Sequence, residues 1–87
     1  MKTIVFKQEF CTPCATLASI LEHDLQVKAD QVINLSKASM EELQLASKYG
    51  VMSAPVLVLA DDNGESIKVL RGMPNRDAIV EVFELRG

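Results

Sequence analysis

The sequence predicts an α/β fold: a four-stranded mixed sheet with helices on both faces, in the order β-α-β-α-β-β-α. Two short apolar runs, residues 4–6 and 56–60, have the length and composition of strands buried on both faces. Helical periodicity follows the first run, and an Asn63-Gly64 pair separates the second run from a further strand-like run. At 87 residues, the chain is predicted to be a single domain, residues 1–87, with one core.

Both cysteines of the chain lie where the first predicted strand leads into the first predicted helix. Residues 3–6 are β-branched or aromatic, as is typical of a central strand. Pro13 suits the first turn of a helix, where its missing N–H costs no hydrogen bond, so Cys11 is predicted to lie at or near the N-cap. From residue 12 to about 26, apolar residues recur on one helical face: Leu17, Ile20, Leu21 and Leu25.

The second strand and the second helix carry clear end signals. Residues 31–35 form a short strand-like run, which a right-handed helical crossover would place parallel to the first strand. Ser39 and Glu42 match a capping box at the start of a helix that runs to Tyr49. Gly50 is predicted to end that helix as its C′ residue.

The last three elements are predicted to be a hairpin and a helix. Strands are expected at residues 56–60 and 66–70, with Asn63 and Gly64 in the turn because both residue types tolerate positive φ. Asn75 is predicted to cap the last helix, which would bury one apolar face: Ile79, Val82 and Phe83.

Composition and charge argue against two classes of partner. The net charge is −3 and the basic residues form no cluster, so the chain offers no electrostatic footprint for nucleic acid or for an anionic membrane. The N-terminal apolar run ends at Lys7, which is too short for a signal peptide, and no later run is long enough to span a bilayer. We therefore expect a cytoplasmic, monomeric protein that binds neither nucleic acid nor membranes.

Cys11 and Cys14 form a Cys-x-x-Cys motif, which predicts a redox dithiol. In the first turn of a helix the two sulfurs can come within bonding distance, and unpaired backbone N–H groups stabilise a thiolate. One alternative is a pair of inert buried cysteines. Another is zinc, but a closed site needs four ligands and His23 lies roughly 18 Å away along the helix. Only a site built from the cysteines of two chains would then remain.

Three features together resemble the thioredoxin/glutaredoxin superfamily, over nearly the full length of the chain. They are Cys11-Thr12-Pro13-Cys14 between the first strand and the first helix, the segment 48–55, and Gly72 after the last strand. The segment reads Lys-Tyr-Gly-Val-Met-Ser-Ala-Pro, and it is similar to the thioredoxin segment that ends in a cis-proline beside the dithiol. The resemblance implies a thioredoxin fold with a cis Ala54-Pro55 bond.

The chain also departs from the pattern of both groups. Phe10 stands where thioredoxins usually have tryptophan, Thr12 where they have glycine, and Val5 where they have a buried aspartate. Glutaredoxins usually have Pro-Tyr inside the motif and a Gly-Gly pair after the last strand, whereas this chain has Arg71-Gly72. The chain thus resembles a small thioredoxin-like redox protein of glutaredoxin size, a kind that includes electron donors to ribonucleotide reductase.

The reaction that the resemblance implies is dithiol–disulfide exchange. Cys11 would be the attacking thiolate, with a pKa below the free value of about 8.5, and Cys14 would resolve the mixed disulfide. No metal and no cofactor other than the Cys11–Cys14 disulfide is expected. An extended substrate could pair with the Ala54 backbone. The residues expected to contact the substrate surround the dithiol: Phe10, Thr12, Pro13, Met52, Ser53, Ala54, Pro55, Gly72 and Met73.

The leading hypothesis is a thiol–disulfide oxidoreductase that reduces disulfide-bearing proteins and is regenerated by a thioredoxin reductase. The first alternative is a glutathione-dependent glutaredoxin, in which Arg71 and Arg76 could bind a glutathione carboxylate. The second is a non-catalytic binding module that uses the groove at Pro55 as an adaptor. Lys7 and Lys37 are candidate electrostatic helpers of the thiolate, although solvated surface charge is the commoner role of such lysines.

Overall fold

The computed structural model describes all 87 residues, and its element order is the predicted one. A segment of π-helix continues the first α-helix, and a 3₁₀ turn follows the second strand. The elements are β1 Lys2–Lys7, α1 Thr12–Ser19, the π-helical segment Ile20–Asp24, β2 Gln31–Asn34, the 3₁₀ turn Leu35–Lys37, α2 Met40–Lys48, β3 Val56–Ala60, β4 Ser66–Arg71 and α3 Arg76–Arg86.

The four strands form one mixed sheet in the order β2-β1-β3-β4. β1 runs parallel to β2, whereas β1 with β3, and β3 with β4, are antiparallel pairs. The predicted mixed sheet and the parallel crossover are therefore confirmed. Val5, in the middle of the sheet, lies opposite Val32 on β2 and Leu57 on β3.

Apolar side chains bury both faces of the sheet. On one face α2 packs through Ala46 and the adjoining Tyr49 against a cluster that includes Phe6 and Val58. On the other face α1 and α3 cover the alternate strand positions, a set that includes Val5, Leu17, Leu57 and Ile79. The period-2 alternation of β1 thus sends Val5 toward α1 and its neighbour Phe6 toward α2.

The first helix differs from its prediction in its second half. The α-helix ends at Ser19, and residues Ile20–Asp24 form π-helix, in which the N–H of Leu25 donates to the carbonyl of Ile20 over 2.8 Å. Gln26, at φ +54°, then turns the chain out of the helix. The wider turn keeps the apolar side chains of this stretch against the α1–α3 core: Ile20, Leu21, Leu25 and Val27.

The hairpin between β3 and β4 is confirmed, but its turn chemistry is not the predicted one. Only Gly64 has positive φ (+82°), so Asn63 does not supply a left-handed residue. Asp61 organises the turn instead, because its carboxylate accepts the N–H groups of Asn63 (2.9 Å) and Glu65 (3.0 Å). The side chain of Asp61, at the first position of the turn, therefore stabilises the chain reversal that Asn63-Gly64 was expected to form.

The predicted helix caps are confirmed, and the end of β2 is one residue early. Ser39 and Glu42 form the complete capping box of α2, and Gly50 follows that helix at φ +66°. The Asn75 side chain accepts the Ala78 N–H over 2.8 Å at the start of α3. β2 ends at Asn34, whose side chain accepts the N–H of Ser36 and starts the 3₁₀ turn. None of the helices combines the length and apolar character that crossing a membrane requires.

Candidate active site

The loop between β1 and α1 is held from one side by the 3₁₀ turn that follows β2. The main-chain N–H of Glu9 donates to the hydroxyl of Ser36 over 3.0 Å, and the Glu9 carboxylate pairs with Lys37 over 3.2 Å. Because β1 and β2 are parallel, both connections leave the same end of the sheet. Lys37, a candidate electrostatic helper, is therefore already paired with a carboxylate.

Cys11 is the N-cap of α1, as predicted, and it forms a disulfide with Cys14. Their Cα atoms are 5.2 Å apart, and the N–H of Cys14 donates to the Sγ of Cys11 over 3.2 Å. Cys11 is partly exposed, whereas only 7% of Cys14 is accessible. After reduction, an attacking reagent would therefore reach Cys11 first, at the helix end where backbone N–H groups and the dipole favour a thiolate.

Phe10, the residue before the disulfide, stands in an unusual conformation. Its φ is +55°, in the left-handed region that a bulky residue rarely adopts, and its side chain is fully exposed. Such a conformation costs on the order of 1–3 kcal/mol, and an exposed phenyl ring gains nothing from burial that would offset this cost. The loop therefore holds a large apolar side chain in water beside the partly exposed cysteine.

Pro55 and Gly72 lie at the same end of the sheet as the disulfide. Phe6, Val56 and Arg71 are aligned across β1, β3 and β4, so the chain before β3 and the chain after β4 emerge where β1 ends. The Ala54–Pro55 peptide bond is cis, and Pro55 is buried. The N–H of Gly72 donates to the carbonyl of Pro55 over 3.0 Å.

Besides Phe10, two large apolar side chains are exposed at this end of the sheet, Met52 and Met73. Met52, three residues before Pro55, is 95% exposed, and Met73 is 40% exposed. Thr12, Pro13 and Ser53 are also exposed, whereas Ala54 is partly buried. Gly72 has φ +73°, and no atom lies within 4 Å of the place where a Cβ would project. Glycine is therefore favoured there by the backbone conformation and not by lack of space.

Cys14 lines two surface cavities on the α1 face of the sheet. The front cavity, about 330 Å³, also contacts Phe10, Cys11 and Lys7. The rear cavity, about 380 Å³, lies behind Cys14 and has a mostly apolar lining that includes Val5 and Val32. Lys7 lines both cavities.

The structure thus brings Phe10, Cys11 and Cys14 together around one cavity. The other residues named for substrate contact line neither cavity. Substrate contact stays a prediction for Phe10 and for these other residues alike. The other residues lie in the first turn of α1 and in the two segments beside Pro55 and Gly72: Thr12, Pro13, Met52, Ser53, Ala54, Pro55, Gly72 and Met73.

Several charged residues named from the sequence have partners away from the dithiol. The guanidinium of Arg71 donates to the carbonyls of Gly50 (2.7 Å) and Tyr49 (3.1 Å). Arg76 forms a two-pronged pair with Asp24, and its hydrogen bond holds the pKa of that carboxyl below its usual value. His23 is exposed, and no group of three or more possible ligands is arranged for a metal ion.

The sequence interpretation missed the rear cavity, which is formed by elements distant in sequence. One part of this cavity could have been predicted from the sequence. Val5 and Lys7 are two residues apart on a strand, so their side chains lie on the same face of the sheet, the face that α1 covers. The rest depends on β2 and on the segment after the π-helix, which contributes Val27 and Lys28. The position of that segment depends on the π-helical turn, for which the sequence carries no clear signal.

A disulfide at the N-terminus of a helix, on a four-stranded mixed sheet with a cis-proline at the same sheet end, defines a thioredoxin-fold thiol–disulfide site. The family model for thioredoxin matches residues 2–84. The thioredoxin of Bacillus subtilis strain 168 is 35% identical over 78 residues, which cover 88% of this chain and 73% of the relative. The SPbeta prophage-derived thioredoxin-like protein YosR of the same organism is 31% identical over 87 residues, covering 99% of this chain and all of the relative.

A solved thioredoxin structure is also similar to this chain. A point mutant of the thioredoxin from Halobacterium salinarum is similar with a TM-score of 0.65 and 32% identity, covering 95% of this chain and 71% of that one. The chain belongs to the thioredoxin family. With its Cys11–Cys14 pair, it is a protein-disulfide oxidoreductase.

Proposed function

We propose that the protein reduces disulfides in other proteins, with Cys11 as the attacking residue and Cys14 as the resolving residue. The observation that carries this assignment is the difference between the two cysteines. Cys11 is partly exposed and accepts a backbone N–H, whereas Cys14 is buried one turn further along the helix. The attacking residue must reach a protein substrate, while the resolving residue only has to reach Cys11.

The reaction has two exchange steps. The Cys11 thiolate attacks one sulfur of the substrate disulfide, forms a mixed disulfide and releases the other substrate sulfur as a thiolate. The Cys14 thiolate then attacks the Sγ of Cys11, which forms the Cys11–Cys14 disulfide and releases the second substrate thiolate. Two electrons pass to the substrate, and a reductase must return two electrons before the next cycle. The Cys11–Cys14 disulfide is the only redox group that this cycle needs.

The apolar side chains around Cys11 suit a protein substrate. Phe10 and Met52 are almost fully exposed, and Met73 is partly exposed, at the end of the sheet where Cys11 lies. Exposed aromatic and methionine side chains are typical of surfaces that bind partners of varied shape. We propose that these three residues, with the Ala54 main chain, contact an extended segment of the substrate. Thr12, Pro13, Ser53 and Gly72 complete that surface, together with the main chain at Pro55, whose side chain is buried.

Thioredoxin reductase is the proposed electron source, and glutathione is the alternative. The arginines that could have bound a glutathione carboxylate both have partners within the chain: Arg71 donates to main-chain carbonyls, and Arg76 pairs with Asp24 on the surface. That engagement favours thioredoxin reductase. Among protein substrates, ribonucleotide reductase is the first to test, because small thioredoxin-like proteins of this kind include its electron donors. A monomer in the cytoplasm is the proposed working form.

Reduction of insulin, followed by turbidity, tests the proposed function. With dithiothreitol as reductant, the wild-type protein should accelerate precipitation, and the Cys11→Ser variant should not exceed the uncatalysed rate. Equal rates for the two proteins would contradict the assignment. Replacing dithiothreitol with NADPH and thioredoxin reductase, or with glutathione and glutathione reductase, then identifies the electron source. A binding module without redox function would instead retain its partner in the Cys11→Ser, Cys14→Ser double variant.

A further inference from the structure

The resolving step requires a thiolate at Cys14, and the surroundings of Cys14 disfavour one. The residue is 7% exposed, and the rear cavity behind it is lined mainly by aliphatic side chains. Val5 and Val32, which lie opposite each other on β1 and β2, both line this cavity. An apolar environment disfavours a thiolate relative to a thiol, so the negative charge needs stabilisation from another group.

Three charged residues line the cavities next to Cys14: Lys7 from β1, Glu22 from the π-helical segment and Lys28 from the segment before β2. Glu22 and Lys28 line the rear cavity but not the front cavity. Lys7 is the one charged residue that, like Cys14, lines both cavities. These cavities contain no other charged side chain.

The position of Lys7 follows from the strand that carries it. Val5 packs against Leu17 and Leu21 on the α1 face, and Lys7 is two residues further along β1, on the same face. Lys7 is exposed, so its ammonium group keeps contact with water. It takes part in none of the ion pairs of the structure, which involve Met1, Lys37, Lys68, Arg76 and Arg86.

We propose that Lys7 stabilises the Cys14 thiolate in the resolving step. This inference rests on the proposed function, because it concerns the second exchange at the same dithiol. The Cys14 thiol loses its proton to water in the cavity, and the thiolate, beside the Lys7 ammonium, attacks the Sγ of Cys11. The Cys11–Cys14 bond forms, the bond between Cys11 and the substrate breaks, and the departing substrate thiolate takes up a proton. Lys7 itself exchanges no proton and forms no covalent bond.

A neutral probe, 2,2′-dipyridyl disulfide, separates the two exchanges in a stopped-flow experiment. The reduced protein should release one thiopyridone when Cys11 attacks and a second when Cys14 resolves. In Lys7→Gln the second phase should be about tenfold slower at pH 7, with its pH profile displaced upward by about one unit. The first phase should change less. Because the probe is uncharged, loss of Lys7 does not alter its attraction to the protein.

Two variants separate charge from packing. Lys7→Arg keeps the positive charge and should restore most of the second-phase rate, whereas Lys28→Gln, which changes the rear cavity alone, should leave the rate within about twofold of wild type. A second phase in Lys7→Gln with the wild-type rate and pH profile would overturn the inference. So would a Lys7→Arg variant as slow as Lys7→Gln.

The wild-type trace distinguishes a failure of this inference from a failure of the proposed function. Release of two thiopyridones from the wild type, and of one from Cys14→Ser, supports the proposed dithiol cycle whatever the result for Lys7. Release of a single thiopyridone from the wild type would contradict that cycle and the role of Lys7 together.

Discussion

The main-chain N–H of Cys14 donates a hydrogen bond to the Sγ of Cys11 over 3.2 Å, in the first turn of α1. Since Cys11 is also the N-cap, its sulfur lies where the positive end of the helix dipole acts on it. A negative charge on this sulfur is stabilised by both effects. The same helix turn leaves the sulfur of Cys14 on the inner side, where few reagents reach it.

The first prediction concerns the reactivity of the two thiols. In the reduced protein, the rate of alkylation of Cys11 by iodoacetamide should reach half its maximum below about pH 8.5, the value for free cysteine. Cys14 should react at least tenfold more slowly at pH 7, because it is buried. Peptide mapping after timed alkylation measures both rates. A midpoint at or above pH 8.5 for Cys11, or faster labelling of Cys14, would contradict the assigned roles.

The second prediction concerns Phe10. Phe10→Gly should raise the free energy of unfolding by about 1 kcal/mol, because glycine adopts positive φ without the strain that phenylalanine meets. The same change should slow insulin reduction several-fold, since the exposed ring would no longer contact the substrate, while the reaction with 2,2′-dipyridyl disulfide stays nearly unchanged. Urea denaturation and the two kinetic assays measure these effects.

Gln26→Gly is the matched control for this variant. Gln26 also has positive φ (+54°) and is exposed, but it lies after the π-helical segment, away from the dithiol. Its replacement should stabilise the fold by a similar amount and leave both activities unchanged. If Phe10→Gly slowed the reactions with insulin and with 2,2′-dipyridyl disulfide equally, the ring would affect the reactivity of the dithiol and would have no separate role in binding proteins.

The third prediction is a loss of stability in acid through Asp30. Its carboxylate accepts the main-chain N–H of the buried Thr3 over 2.7 Å and the Thr3 hydroxyl over 3.0 Å, and it lies 3.4 Å from Arg86. The Thr3 main-chain hydrogen bond, first among these contacts, holds the pKa of Asp30 below its usual value of 3.8. Stability from this group is therefore complete above the unfolded pKa and is lost as the pH falls through the lower folded value.

Asp30→Ala measures that contribution. The variant leaves two donors of Thr3 without this acceptor, so it should lose about 1–2 kcal/mol of unfolding free energy at pH 7, a figure reduced for the partial exposure of the carboxylate. The difference from the wild type should shrink between about pH 5 and pH 2 in urea titrations. Asp24→Ala, which removes an exposed pair with Arg76, should have a smaller effect at pH 7. A difference that grows on acidification would contradict the prediction.

The fourth prediction concerns the side chain that ties α2 to β4. Arg71 donates to the carbonyls of Gly50 and Tyr49, which lie at the C-terminal end of α2. Arg71→Lys cannot reproduce the two-pronged contact, so it should lower the unfolding free energy by about 1 kcal/mol. Lys68→Arg is a suitable control, because Lys68 pairs only with Glu81 on the surface. Thermal unfolding of the two variants at pH 7 measures the difference.

The fold was predictable from sequence because its signals are local. The apolar run in β1, the capping box at Ser39 and the cap at Asn75 each depend on residues within one turn or one strand. The turn after β3 shows where local signals fail: positive φ was expected at both Asn63 and Gly64, but only Gly64 adopts it, and the Asp61 carboxylate accepts two N–H groups of the turn. The π-helical turn after Ser19 was missed because its apolar spacing also fits an α-helix.

The candidate site was predictable in part for a related reason. The Cys11–Cys14 spacing and the helix start specify the disulfide, and both lie in one continuous segment. The cavities beside Cys14 depend instead on Lys7, Val32 and the segment 27–29, which come together only through the sheet register and the π-helical turn. The positive φ of Phe10 likewise leaves no trace in the residue type, since phenylalanine seldom adopts it.

Trapping of the mixed disulfide tests the assignment of Cys11 and Cys14 most directly. Reduced Cys14→Ser, mixed with a protein that carries one accessible disulfide, should form a stable covalent adduct that mass spectrometry locates on Cys11. Reduced Cys11→Ser should form little or none under the same conditions, because Cys14 is buried. An adduct formed equally well through Cys14 in the Cys11→Ser variant, or no adduct on Cys11 in Cys14→Ser, would contradict the account.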